Sequence, residues 1–371
     1  MRLSVARRVG LVVALGLGVH AAAAQAQVTV GGLVYSQFGY SLKPDSGLVA
    51  TTGSAGHDNN FDVTRAYVNL NAKFADGVSA RITSDIDSRG LSFGGTSETQ
   101  LTLRLKYAFV AWQPDAKGPL TYKFGLMQTP WIDWEESLWD YRMQGTVAFD
   151  RNKLFPASDF GAGIDGSWNY DQVNMQVGVY DGEGYSATPG DPGKDVEGRL
   201  SYRLAKTDMA GRSGGLRITG YAQLGDANGG GTRTRFIGNL AYKSKAVTLA
   251  AEIGVGQDSI NATHPKQKQE IISAYGVYNI PRSKVALIGR VDTFDPNTDS
   301  TGTATGGTVQ ANNAGNVAVN KQTRFIGGIS YAISPNLRVL LDIDTNSLEN
   351  GATNAFDKNR SMLFFHTEAK F

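Results

Sequence analysis

The chain has 371 residues, with 36 Lys and Arg against 34 Asp and Glu, four histidines and no cysteine. The lack of cysteine excludes disulfides, thiolate metal sites and cysteine nucleophiles. The near-neutral balance removes any charge-based case for nucleic-acid binding.

The first 26 residues read as a targeting segment. Arg2, Arg7 and Arg8 form a positive start, an apolar run covers 9–19, and small residues lead to Ala24-Gln25-Ala26. That pattern predicts a secretory signal peptide over 1–26, cleaved after Ala26, because the apolar run is too short for an ordinary membrane-spanning helix. Its three arginines account for the basic excess, leaving 33 basic against 34 acidic residues from Gln27 onward. No later stretch of about 18 apolar residues occurs, so no spanning helix is expected; in lipid, a closed barrel is the other way to satisfy every backbone group.

From Gln27 the dominant signal is alternation of period two. Strands are predicted near 28–40, 61–73, 77–87, 100–113, 119–127, 160–170, 172–181, 195–205, 214–225, 232–243, 245–257, 268–280, 284–294, 320–332, 336–347 and 357–371. In 100–113, Leu101, Leu103, Leu105, Tyr107, Phe109 and Ala111 are placed on one face, with Thr102, Arg104, Lys106 and Ala108 on the other. In 336–347, Leu337, Val339, Leu341 and Ile343 oppose Arg338, Asp342 and Asp344. Strands of 10 to 13 residues suit a tilted crossing of a bilayer and exceed the usual soluble length. Short turns, as at 74–77, 169–172, 244–245, 281–283 and 334–336, alternate with long polar stretches at 41–60, 128–159, 181–194, 257–268, 295–320 and 346–357. Aromatics near strand ends (Tyr40, Trp112, Tyr122, Trp168, Tyr170, Tyr180, Tyr242, Tyr278, Tyr331) fit interfacial girdles. The expected fold is all-β: a transmembrane antiparallel β-barrel of about sixteen strands over 27–371, with long extracellular loops and its first strand paired to its last.

The chain ends Ala369-Lys370-Phe371, and outer-membrane barrels characteristically finish a strand on such an aromatic. Arg65-Ala66-Tyr67-Val68-Asn69-Leu70, Leu105-Lys106-Tyr107-Ala108-Phe109-Val110, Phe124-Gly125-Leu126-Met127-Gln128-Thr129-Pro130-Trp131, Asp150-Arg151 and Asp159-Phe160-Gly161 resemble the phosphate-selective porin family of Gram-negative outer membranes. The resemblance implies a homotrimer whose third loop folds into the channel, passing small ions and hydrophilic solutes by passive diffusion. It also implies contact with outer-membrane lipid and with the barrel assembly machinery, for which Phe371 would be the signal. The chain departs from the family pattern at Met127-Gln128-Thr129-Pro130, where a basic residue often precedes the proline.

A barrel of this size encloses an aqueous channel. Alternation places Arg65, Arg81, Arg104, Lys106, Lys123, Arg217, Arg233, Arg235, Arg290, Arg324 and Arg338 on its wall, outnumbering the acids there, which predicts an anion preference. The third loop, 128–159, carries Trp131, Trp134, Leu138, Trp139 and Met143 at roughly helical spacing, with Asp133, Glu135, Glu136 and Asp140 between them. The apolar stripe is expected to pack on the wall and the acids to face the lumen, where they either set a transverse field or pin the loop to arginines. These acids leave a cation-preferring or weakly selective pore as the alternative. His57, His264 and His366 have no ligating or triad spacing, so no metal, cofactor or catalytic site is expected; a barrel enzyme and an adhesin are the less favoured readings.

Overall fold

The computed structural model describes residues 27–43, 59–87, 92–93, 96–97, 101–187, 192–227, 231–259, 266–298, 321–348 and 360–371. The expected signal peptide, His57 and His264 lie outside the described residues.

Sixteen antiparallel strands run β1 (Gln27–Lys43), β2 (Asn59–Lys73), β3 (Val78–Asp87), β4 (Thr102–Trp112), β5 (Leu120–Gln128), β6 (Ser158–Trp168), β7 (Val173–Tyr180), β8 (Asp195–Ala205), β9 (Gly215–Ala227), β10 (Gly231–Lys243), β11 (Val247–Asp258), β12 (Gln267–Asn279), β13 (Val285–Asp295), β14 (Gln322–Ser334), β15 (Leu337–Leu348) and β16 (Arg360–Lys370). Each pairs with its neighbours in sequence, and β1 pairs with β16 from Leu33↔Lys370 to Lys43↔Ser361, closing the barrel. Closure leaves no unpaired edge. The ring of Phe371 lies over Gly32, whose N–H donates to the Phe371 carbonyl at 2.6 Å. A two-rung ladder, Ser92–Phe93 with Thr96–Ser97, stands apart between β3 and β4.

The outer wall is apolar. Phe124, Leu200, Ile218, Leu224, Leu249 and Ile329 are all exposed, and their neighbours in sequence turn to the other face. That is the pattern of strands with one face in lipid and one in water. Trp112, Tyr122, Trp168, Tyr202, Tyr242, Tyr278 and Tyr331 project outward at the short-turn ends of their strands, forming one aromatic belt. Tyr180 does not belong to a belt: it is fully buried at the opposite end and its hydroxyl meets the Gln128 carbonyl at 3.3 Å.

The alternation expected for 100–113 fails partway. Thr83 pairs with Tyr107 and Ser84 with Leu105, so Lys106 is an extra residue in β4. A bulge of this kind shifts the phase of alternation by one. Leu103 and Leu105 are exposed as expected, but Tyr107 and Ala111 join Lys106 on the buried face, and Val110 and Trp112 turn outward.

Between β5 and β6, α1 (Pro130–Leu138) and α2 (Ala148–Arg151) make up the third loop. Segment 131–157 touches β9 through Tyr221, β12 through Tyr275 and β15 through Asp344. A segment that reaches strands so far apart around a closed sheet lies inside it.

Candidate functional site

The loop is fixed first by apolar packing. Trp131, Trp134, Leu138, Trp139 and Met143 are almost completely buried, as the helical spacing predicted. The Trp131 ring meets Phe149 edge-on at 5.5 Å and Tyr221 at 5.8 Å; Trp139 meets Tyr275 edge-on at 5.4 Å. Such aromatic pairs add to the area they bury. Guanidiniums cover the outer faces: Arg199 stands 4.8 Å over Trp134 and Arg290 5.5 Å over Trp139.

Polar straps then hold α1 at both ends. Arg212, from the turn between β8 and β9, pairs with the Asp133 carboxylate and donates to its carbonyl at 2.9 Å. Lys243, at the end of β10, donates to the carbonyls of Ser137 at 2.7 Å and Leu138 at 3.3 Å and to Asp140 Oδ1 at 2.9 Å. A cation there satisfies the open carbonyls of the last helical turn and complements the negative end of the helix dipole. Farther along, Gln144 donates to Asp344 at 3.1 Å, and Arg290 donates to the Thr146 carbonyl at 3.2 Å.

The four loop acids do not share one orientation. Asp133 and Asp140 are engaged by Arg212 and Lys243, and Glu136 pairs within the loop with Arg142 at 2.9 Å. Glu135 does not face the lumen: it is fully buried against the wall beside Glu252, and its Oε1 accepts the Ala148 N–H at 2.7 Å. It lies on the same side of α1 as Leu138 and Trp131, which pack on that wall. Burial pushes the Asp133 carboxyl up, but the Arg212 charge and hydrogen bond outweigh it and hold the group at about 2. Burial and the neighbouring Glu252 push Glu135 well above the usual carboxylate range.

The predicted wall cations divide into two sets. Arg217 is buried beneath the turn at the end of β8 and donates to the Gly214 carbonyl at 2.9 Å. Arg235 pairs with Asp258 and donates to the Leu154 carbonyl; Arg290 bonds Asp292 at 2.8 Å. These three lie under loop or turn and do not line open space. Four others are each matched to an acid: Lys123 to Asp165, Arg233 to Asp195 at 2.6 Å, Arg324 to Asp344 and Arg338 to Glu368 at 2.7 Å.

The second set lies on β2–β4, across from the loop. Arg65 meets Asp85 at 2.7 Å, and Arg104 reaches the same carboxylate at 3.7 Å. Arg81 bonds Thr83 at 3.0 Å and Asn69 at 3.1 Å and stands 4.6 Å over the Tyr107 ring. Lys106 is buried and donates to the Tyr67 hydroxyl at 2.8 Å. This wall carries four cations, two of them at Asp85 and two held by neutral groups.

Arg212, Lys243 and Arg142 were not among the residues singled out from the sequence. Lys243 continues the inward alternation of Arg233, Arg235 and Asn239 along β10 and was within reach of it. Arg142 and Arg212 sit in loop and turn, where alternation carries no information.

No protein-family model matches the chain, and no curated protein matches it in sequence. Solved structures do. OmpT, an outer membrane protein of Vibrio cholerae, is matched in a form lacking loop L8 at 12% identity and a TM-score of 0.60, over 93% of this chain and 99% of that one. Salmonella typhi OmpF in complex with daunomycin is matched at 13% identity and a TM-score of 0.59, over 93% and 97%. A mutant Rh. blastica porin is matched at 11% identity and a TM-score of 0.52, over 93% and 100%. At these identities the likeness is one of architecture, and the chain has the fold of a bacterial outer-membrane porin.

Proposed function

We propose that this chain is a passive diffusion pore of a bacterial outer membrane, admitting small hydrophilic solutes and ions through a barrel narrowed by its third loop. The observation that carries this reading is the interior position of residues 131–157, strapped by Arg212 and Lys243 against one side while a polar, charged wall stands on the other. A barrel that only anchored or adhered would not need a lumen graded in this way. The reading includes export through the 1–26 segment, assembly guided by Phe371 and a homotrimer; the matched Vibrio cholerae OmpT includes a trimer form.

The anion preference is assigned to the β2–β4 wall, which carries Arg65, Arg81, Arg104 and Lys106 against the single acid Asp85. Phosphate is the solute suggested by the sequence resemblance. One observation favours weak selectivity instead: Lys123, Arg233, Arg324 and Arg338 are each paired with an acid, so much of the cation excess is neutralised. A catalytic reading finds less support. His366, the one histidine among the described residues, lies 2.9 Å from Asp342 and beside the Phe364 ring, with no hydroxyl nucleophile in contact.

Planar-bilayer recording under a KCl gradient tests the proposal. Stepwise openings with an anion-selective reversal potential are expected. Cation selectivity would keep the pore and remove the arginine-wall assignment; folded protein that opens no channels would overturn the transport reading.

A further inference from the structure

We propose that the outer wall over β10–β14 is a docking surface for one anionic phospholipid of the inner, periplasm-facing leaflet. Its phosphate sits on cations of the short turns, and an acyl chain lies in a groove below them. The proposal goes beyond the pore reading, because it concerns the outside of the barrel and not what passes through it.

The groove comes from side-chain size. Gly276 of β12 pairs with Gly289 of β13, and on the neighbouring outward rung Ala251 of β11 pairs with Ala274 of β12. These four floor a groove of about 560 Å³, walled by Leu240, Tyr242 and Leu249 on one side and by Val291 and Phe325 on the other. All five wall residues are exposed on the outer face, so the groove opens toward the bilayer. A Cβ added at Gly289 would meet no atom within 4 Å, so the floor there borders open space. Lipid tails are as apolar as these walls, so close packing, not hydrophobicity, decides what rests there. An acyl chain over the glycines reaches backbone that larger side chains would hold off, and gains dispersion contacts.

Charge selects the headgroup. Short turns face the periplasm in barrels of this kind. Those above the groove carry Lys245, Arg282 and Lys284, all exposed. Lys284 donates to the Ile333 carbonyl at 3.1 Å, which leaves its ammonium two further N–H groups. Asp208, on the β8–β9 turn, accepts the Lys245 backbone N–H at 3.0 Å and is balanced by Lys206 on the same turn. The short turns of β2–β7 differ: there Lys73 and Lys117 stand against Asp76, Asp115 and Asp171. The positive arc of the rim therefore coincides with the groove. Cations at this level attract anionic headgroups.

The depths agree. Lys284 precedes Gly289 by five residues, about 16 Å along the strand and about 12 Å along the bilayer normal at a tilt of about 45°. Tyr278 pairs with Leu287 at the depth between them and projects outward at the headgroup level. A phosphate on the cations thus puts the first methylenes beside Tyr278 and the middle of the chain in the groove.

The test is native mass spectrometry of the folded, detergent-solubilised protein incubated with equal amounts of phosphatidylglycerol and phosphatidylethanolamine. One phosphatidylglycerol retained per chain, in preference to phosphatidylethanolamine, is expected. Arg282→Gln and Lys284→Gln should each lower that retention about fivefold, the effect of one cation near an anionic surface. Lys117→Gln, at the same level on the opposite arc, should retain the lipid as the parent does. Gly289→Leu fills the groove without touching the rim and should also release the lipid. Equal retention of the two lipids overturns the proposal, as does unchanged phosphatidylglycerol retention in Arg282→Gln or in Gly289→Leu. Channel conductance equal to the parent's shows that each variant is folded. A protein that conducts but retains no phosphatidylglycerol loses the docking surface and keeps the pore; one that retains the lipid but does not conduct does the reverse.

Discussion

Glu135 Oε1 accepts the backbone N–H of Ala148 at 2.7 Å, so a side chain of α1 caps the first turn of α2 thirteen residues later. The same carboxyl is buried on the wall beside Glu252, and burial together with that neighbouring acid favours its protonated form. The loop is thereby folded on itself and docked by one residue. Removing the cap in Glu135→Ala leaves the buried Ala148 N–H without a partner, a loss of about 1–3 kcal/mol. Open-channel current noise should rise in that variant.

Protonation of Glu135 gives this docking a pH dependence. Its folded value is raised well above 4.5 by burial and by Glu252, with Arg290 opposing. The stabilisation is fully present below the unfolded value and is lost as pH rises through the folded one. Current noise should therefore increase with pH above 4.5 in the parent and stay level in Glu135→Gln, which keeps an oxygen for Ala148 and cannot ionise. Parallel pH curves for the two proteins would contradict the assignment.

Gly125 has φ of 122°, and a Cβ added there would stand 2.5 Å from the Ala108 carbonyl oxygen and 3.0 Å from the Phe109 Cα. Both the backbone conformation and the approach of β4 exclude a side chain. Gly125→Ala should cost about 1–3 kcal/mol, the usual range for a forced backbone outlier. Urea titration of the folded protein would measure it, and an unchanged midpoint would refute the argument.

The barrel was legible because lipid on one face and water on the other impose period two on every strand, and sixteen such strands read along the chain are the sixteen that close. The tryptophan stripe of the third loop was legible for the same reason at period 3.6. What failed was any feature set by a single residue. Lys106 inserts a bulge that no local pattern announces, so Tyr107 and Ala111 turned inward against the count. Glu135 looked like a lumen acid because it is charged; its neighbours Leu138 and Trp131 on the same helical face pull it into the wall. The pairing of Asp133 with Arg212 joins residues 79 apart in sequence and follows only from closure of the barrel.

Wall cations and buried cations should separate in a selectivity measurement. Arg104→Ala removes charge from the β2–β4 wall and should move the reversal potential toward cations. The change should be a few-fold in permeability ratio at most, since a unit charge about 4 Å away in water is worth about 1 kcal/mol. Arg217→Ala removes a guanidinium buried under the Gly214 turn and should leave the reversal potential unchanged if the barrel still folds. Equal shifts in both would mean that total charge, not its position, sets selectivity.

The Asp133–Arg212 strap should release in acid. Arg212 holds the Asp133 carboxyl at about 2 against burial, below its ordinary 3.8. A depressed acid contributes stability that is present above the unfolded value and lost as pH falls through the folded one, so the window runs from 3.8 down to about 2. Arg212 is partly open to solvent, which limits the pair to about 1 kcal/mol or less. The Lys243 strap and the buried tryptophans should keep α1 docked below that window, leaving only its first turn loose. Protease cleavage near residues 129–133 should therefore rise as pH falls through the window in the parent and be constant, and already high, in Arg212→Ala. If acid instead frees the whole loop, cleavage would extend past Leu138, and the apolar packing would be weaker than its burial implies.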